Sequence, residues 1–261
     1  MPPSPWPYPR VLAHRGGGAL APENTLAAIR TGRSRGFVGV EFDVMLCADD
    51  EPVLMHDLTL QRTTDGAGPV AQRSWAELAR LDAGRWFSPD FAGERIPHLA
   101  GAIEYCRSQG VWINAEIKPA PGAEARTGAR VAQVVAHGFA DVIGNGGSPA
   151  AGPGHRLPLL SSFSMEALAA ARDAQPRLPR GLLFKRIPGD WNERLQRLQC
   201  VALHCDHQAV DAAAIRAVRE AGYWVFVYTV NDPRRANRLK QWGIDALCTD
   251  RLDLIEPALF D

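Results

Sequence analysis

The sequence predicts an α/β protein, a TIM (β/α)8 barrel with a small insertion after the hairpin of its second strand. Three observations carry this. Short apolar strands alternate with amphipathic helices along the chain. Eight such repeats fit within 261 residues. Polar residues gather at the C-terminal ends of the strands, the face on which such barrels carry their sites. A doubly wound sheet is the runner-up, since alternation alone does not separate the two. The whole chain, 1–261, is read as one domain, an ordinary size for such a barrel, with 58–109 as the insertion.

The elements follow in order. VLAHRG (11–16) is a strand entering a glycine turn. ENTLAAIRTGRSRG (23–36) is a helix, with Leu26, Ala27 and Ile29 on one face and Gly36 at its stop. GVEFDVML (39–46) is a strand, and PVLMHD (52–57) returns beside it through ADDE as a hairpin. From Leu58 to about Gln109 the pattern breaks into turns around one helix, SWAELARL (74–81), with Trp86, Phe87 and Phe91 as core. The rhythm resumes with strands at 112–118, 158–164, 181–186, 201–205, 223–230 and 246–250. Helices between them span 128–139, 165–174, 190–199, 209–222 and 232–243, and a last short helix lies near LDLIEPALF (252–260). PAPGAEARTG (119–128) and NGGSPAAGPGHR (145–156) read as polar, flexible loops.

Composition excludes several classes. Lys and Arg number 29 against 29 Asp and Glu, so the basic excess of a nucleic-acid binder is missing. Five cysteines (Cys47, Cys106, Cys200, Cys205, Cys248) form no CxxC, which gives neither a zinc ribbon nor a disulfide framework. They read as small buried residues in a reducing compartment. No segment has signal-peptide form or approaches the ~20 apolar residues of a membrane span. A cytoplasmic protein with no membrane or nucleic-acid partner is expected; oligomeric state is not written in the sequence.

Chemistry concentrates at the proposed strand ends. The first strand delivers His14 and Arg15, the second Glu41 and Asp43, its hairpin partner His56, and the third Glu116 and Lys118. Residues two apart on a strand point the same way, so Glu41 and Asp43 converge while Phe42 faces oppositely, and Glu116 and Lys118 do the same around Ile117. Three carboxylates at one barrel mouth repel unless a hard cation lies among them, and oxygen donors suit Mg²⁺ or Ca²⁺. One divalent cation with an Arg and a Lys attracts phosphate. Two histidines can then divide general base and general acid work. The set describes metal-assisted phosphoester cleavage. GGG (16–18) matches neither a dinucleotide nor a P-loop signature and reads as a tight turn. His204 is read as a locally hydrogen-bonded residue.

HRGGGALAPENTLAAI (14–29), EFDVMLCADDEPVLMHD (41–57) and INAEIKP (113–119) resemble the glycerophosphodiester phosphodiesterase family, whose pattern is His-Arg, Glu-x-Asp, His and later Glu-x-Lys. LTLQRTTDGAGPV, LDAGRWFSPDFAGERIPHL, RGLLF, VFVYTVND and WGIDALCTD extend the resemblance over nearly the whole chain. It is nearest to the short cytosolic bacterial members. IPHLAGAIEY departs where an acidic pair often follows Pro-x-Leu, outside the core motif. The resemblance implies a TIM barrel, metal ligands Glu41, Asp43 and Glu116, catalytic His14 and His56, and phosphate contacts from Arg15 and Lys118. It also implies an insertion that closes over the site. The expected reaction is metal-dependent hydrolysis of a small-molecule glycerophosphodiester to sn-glycerol 3-phosphate and an alcohol, in glycerophospholipid catabolism. His14 is expected as base and His56 as acid. A phospholipase-type activity would need an apolar entrance for acyl chains, and no segment of the sequence supplies one. A non-catalytic phosphodiester binder would be expected to lack a histidine or a ligand, and none is missing.

Overall fold

The computed structural model describes residues 5–144 and 152–260; residues 145–151 of the NGGSPAAGPGHR loop lie outside them. Eight parallel strands close on themselves: β1 (Val11–Ala13), β2 (Gly39–Leu46), β4 (Trp112–Ile117), β5 (Leu159–Ser162), β6 (Arg180–Phe184), β7 (Ala202–Asp206), β8 (Trp224–Tyr228) and β9 (Ala246–Thr249). β1 pairs with β9 on one side and β2 on the other, which makes the sheet a barrel and disposes of the doubly wound alternative. β3 (Pro52–Leu54) alone runs antiparallel, against the upper half of β2, with Val44 opposite Leu54 and Leu46 opposite Pro52.

Helices return the chain between strands: α1 (Leu26–Ser34), α3 (Leu99–Ser108), α4 (Glu124–Gly138), α5 (Ala140–Gly144), α6 (Met165–Ala174), α7 (Trp191–Leu198), α8 (Ala212–Glu220) and α9 (Pro233–Trp242). Most start on a side-chain cap, such as Thr25 for α1 and Ser164 for α6, which satisfies an otherwise orphaned N–H. Their apolar faces pack on the outward residues of the strands, among them Phe42, Val44, Ile113 and Ile117. The lumen floor is a second cluster of Leu12, Trp112, Leu159, Ala202 and Phe226, plugged from below by Trp6 and Tyr8. Tyr8 stacks on Trp112 at 4.5 Å.

The sequence reading differs from the structure in several places. α3 lies inside the segment read as a break, and β3 and β4 are joined through it; its cap is His98, whose ring accepts from Ala100 N at 3.1 Å. α4 begins at Glu124, so half of PAPGAEARTG is helical. The final helix is absent; residues 252–260 make turns, with Pro257 unable to continue a helical hydrogen-bond ladder. α2 covers only Trp75–Leu78, held by a capping box between Ser74 and Glu77.

The segment between β3 and α3 has its own apolar cluster, formed by Leu60, Val70, Leu78, Ala83 and Ile96 against Met45, Cys47, Val53 and Met55 of the hairpin. It does not rest on Trp86, which is 40% exposed, although Trp86, Phe87 and Phe91 touch edge to face. This cluster fixes the hairpin, and the hairpin carries His56. No described helix is long and apolar enough to cross a membrane.

Candidate active site

β1 ends at Ala13, and His14 and Arg15 lie in the turn that follows. Gly18 has φ +54°, and a Cβ there would come within 2.3 Å of the Asp250 carbonyl oxygen. The glycines are needed because the turn lies directly against the end of β9: Ala19 N donates to Asp250 O at 2.8 Å. That contact brings Asp250 beside His14. His14 Nδ1–H donates to Asp250 Oδ1 at 2.6 Å, and Asp250 Oδ2 accepts from Asn231 Nδ2 at 2.9 Å. The carboxylate fixes the tautomer and turns Nε2 toward Glu41 Oε2, 3.8 Å away.

β2 presents Glu41 and Asp43 to the lumen while Phe42 enters the outer core, as the alternation predicts. β4 adds Glu116, registered directly opposite Asp43. One carboxylate oxygen from each of the three lies within 4.8 Å of the other two. Asp43 Oδ2 accepts from Asn24 Nδ2 at 2.8 Å, and Asn24 Oδ1 accepts from Asp43 N at 3.0 Å. Lys118 Nζ approaches Glu116 at 3.5 Å and Asp43 at 3.6 Å. Glu41 Oε2 accepts from Arg15 N at 3.0 Å, whereas buried Glu41 Oε1 has no partner among the described residues.

Crowding shows in the titration. Burial, reinforced by the Asp43 carboxylate, pushes Glu41 up to about 7 and Glu116 up to about 8. Burial opposes charge on His14, but the Asp250 hydrogen bond and Glu41 outweigh it and raise the ring above its usual value. His56 is lowered by burial, against the pull of Asp43. Three clustered carboxylates, one with an orphaned oxygen, could hold a hard cation.

His56 mirrors His14. Its Nδ1–H donates to Asp57 Oδ1 at 2.7 Å. Asp57 is gripped by Arg62, whose Nε and Nη2 donate to it at 2.6 and 3.0 Å. The same guanidinium donates twice to Glu23, at 2.7 Å each. Glu23 in turn accepts from Arg15 Nη1 at 2.6 Å. One chain of charges therefore links Arg15 to His56.

The structure brings together all seven residues singled out by sequence: His14, Arg15, Glu41, Asp43, His56, Glu116 and Lys118 share the mouth of the barrel. Sequence reasoning missed Glu23, Asn24, Asp57, Arg62, Asn231 and Asp250. Asp57 follows His56 directly, and Asp250 closes the last strand, so both were visible as strand-end carboxylates; Arg62 had no such signal. His204 is corrected. Its ring is fully buried in the lumen, stacked on Phe226 at 4.5 Å, with neither nitrogen paired among the described residues. Burial pushes it down to about 3, so it is a neutral packing group.

A model of the glycerophosphoryl diester phosphodiesterase family matches residues 14–254. A glycerophosphodiester phosphodiesterase from Caldanaerobacter subterraneus subsp. tengcongensis is 30% identical over 245 residues, 92% of this chain and 93% of that one. A solved phosphodiesterase from Oleispira antarctica, in complex with the product sn-glycerol-3-phosphate, superposes with a TM-score of 0.84 at 38% identity, covering 93% of both chains. A glycerophosphodiester phosphodiesterase from Agrobacterium tumefaciens superposes with a TM-score of 0.73 at 26% identity, covering 96% and 98%.

Proposed function

We propose a two-histidine, metal-dependent hydrolysis for this chain, which belongs to the glycerophosphoryl diester phosphodiesterase family and is a glycerophosphodiester phosphodiesterase. The products would be sn-glycerol 3-phosphate and an alcohol, in keeping with the product bound by the Oleispira antarctica relative. The observation that carries the reading is the pairing at one barrel mouth of two imidazoles, each with Nδ1 tied to a carboxylate, on either side of three clustered carboxylates.

Glu41, Asp43 and Glu116 would hold the cation. When bound there, a divalent ion would neutralise charge building on the phosphoryl oxygens and offset the Glu41 charge that helps raise His14. Arg15 and Lys118 add positive charge to the same pocket and orient the phosphodiester. His14, on the β1/β9 side, takes the proton from the nucleophile, either water or the glycerol 2-hydroxyl. His56, on the β3 side, protonates the departing alcohol; the phosphodiester anion favours a charged imidazole beside it. Asp250 and Asp57 hold the rings so that each Nε2 faces the phosphate. Five buried, unpaired cysteines support a reducing, cytoplasmic setting, and glycerophospholipid breakdown would supply such substrates.

The test is a coupled assay of glycerol 3-phosphate release across several glycerophosphodiesters, with and without EDTA. Release that requires the cation is expected. Turnover indifferent to chelator would remove the metal from the mechanism.

A further inference from the structure

A cleft of about 660 Å³ opens directly from the site, with His56, Glu116 and Lys118 on its inner wall. Its outer wall is apolar, made of Met45, Leu58, Ile117, Pro119, Pro121 and Phe163. Leu58 is 47% and Phe163 42% exposed, an unusual state for large apolar side chains, and both stand at this one mouth. Several polar groups that line the cleft are already engaged, while Thr59 adds one exposed hydroxyl. Ser162 Oγ donates to Ile117 O at 2.6 Å, and Ser164 Oγ accepts from Ala167 N at 3.1 Å as the cap of α6. Asp57 is shared by His56 and Arg62, and Glu116 faces Lys118. No free carboxylate is left for a cationic headgroup.

The flank by β1 and β9 is polar: Asn231, Asp250 and Arg15 lie there. A phosphodiester has two arms. The spare lone pairs of Asp250 and Asn231 would suit the hydroxyls of a glycerol arm. The second arm then enters the cleft, beside His56, where the proton for a leaving alcohol is placed.

Resting on the proposed reaction, we infer that the cleft is a subsite for the departing alcohol and that it selects alcohols with an uncharged, apolar body over polyols and ammonium alcohols. The apolar entrance that the sequence did not reveal is assembled from β2, the residues after β3, the residues after β4 and the end of β5. Phe163 is braced from behind by Tyr228, ring centres 6.0 Å apart, and Tyr228 is itself anchored through its hydroxyl to Phe184 O at 2.9 Å.

The experiment measures kcat/KM on ethyl, butyl and hexyl esters of glycerol 3-phosphate, whose leaving alcohols are alike in acidity, beside glycerophosphocholine and glycerophosphoglycerol. Burial of each added methylene should raise kcat/KM about two- to fourfold, mainly through KM. The variants Phe163→Ser and Leu58→Ser should flatten that slope, and the choline and glycerol esters should fall below the hexyl ester. A slope that is flat or falling in the unaltered chain, with esters still hydrolysed, overturns the subsite alone. If no glycerophosphodiester is hydrolysed, the proposed reaction fails and the subsite falls with it.

Discussion

His14 and His56 use one device in two materials. Each ring donates Nδ1–H to an aspartate, at 2.6 Å and 2.7 Å. At His14 the aspartate comes from the neighbouring strand end, 236 residues away, and its other oxygen is held by Asn231. The barrel ladder itself sets that geometry. At His56 the aspartate is the next residue in the chain, and its anchor is Arg62, whose side chain is 44% exposed. One histidine is thus positioned by the closed sheet and the other by an ionic clamp at the surface. The same chemistry can be built from core or from rim, and the two versions should fail differently.

The largest effect tests whether both rings are needed at all. His14→Ala and His56→Ala should each lower kcat by ~10²–10⁴, with cation binding retained in calorimetry. A histidine whose loss leaves turnover within a few fold would break the symmetry at its root.

Next come the orienting carboxylates. Asp250→Asn and Asp57→Asn should each cost about 10–100-fold, the range for groups that orient a reacting ligand. Asp250→Asn should also lower Tm, because a partly buried hydrogen bond between two strand ends is lost. Asp57→Asn should leave Tm nearly unchanged. Equal losses of stability would erase the distinction between core and rim.

Acidity separates the two sides further. His14 faces Glu41 at 3.8 Å, whereas the ion pair of His56 is with Asp57. Glu41 at about 7 and Glu116 at about 8 stand above their usual 4.5, so these two carboxyls hold more protons in the folded metal-free chain than in the unfolded one. Their contribution to stability falls as pH rises through roughly 5 to 8. A cation has to displace those protons, so it binds better as they leave. The Tm difference between Mg²⁺ and EDTA should be small near pH 5.5 and widen by about pH 8.5. A difference that does not vary with pH would detach the carboxylates from the cation.

Most of the barrel and the inner site could be read from sequence because both are periodic. Glu41 and Asp43 flank Phe42, and Glu116 and Lys118 flank Ile117, so strand alternation alone aims them inward. Eight repeats suggest closure, and the pairing of β1 with β9 establishes it. The clamp was not legible, because Arg62 and Glu23 are joined across 39 residues by long side chains that obey no period. α3 hid behind Pro97 and an unusual histidine cap. The apolar cleft hid because Leu58, Pro119 and Phe163 are individually ordinary, and only the fold makes them neighbours.

Arg62 carries the smallest and most discriminating prediction. Its exposure keeps its contribution to stability near that of surface pairs, about 1 kcal/mol or less. Its contribution to order is larger, since four hydrogen bonds from one guanidinium fix Asp57 and Glu23 together. Arg62→Ala should therefore lower kcat several-fold at nearly constant Tm. Arg62→Lys should recover only part, because an ammonium cannot span both carboxylates with a planar fork. The decisive readout is the imidazole nitrogen spectrum. In Arg62→Ala, His56 should change from a single Nδ1–H tautomer to a mixture, while His14, held by Asp250 and Asn231, keeps its own. If both rings stay fixed, the clamp does not position His56, and the segment after β3 acts on the site through packing alone.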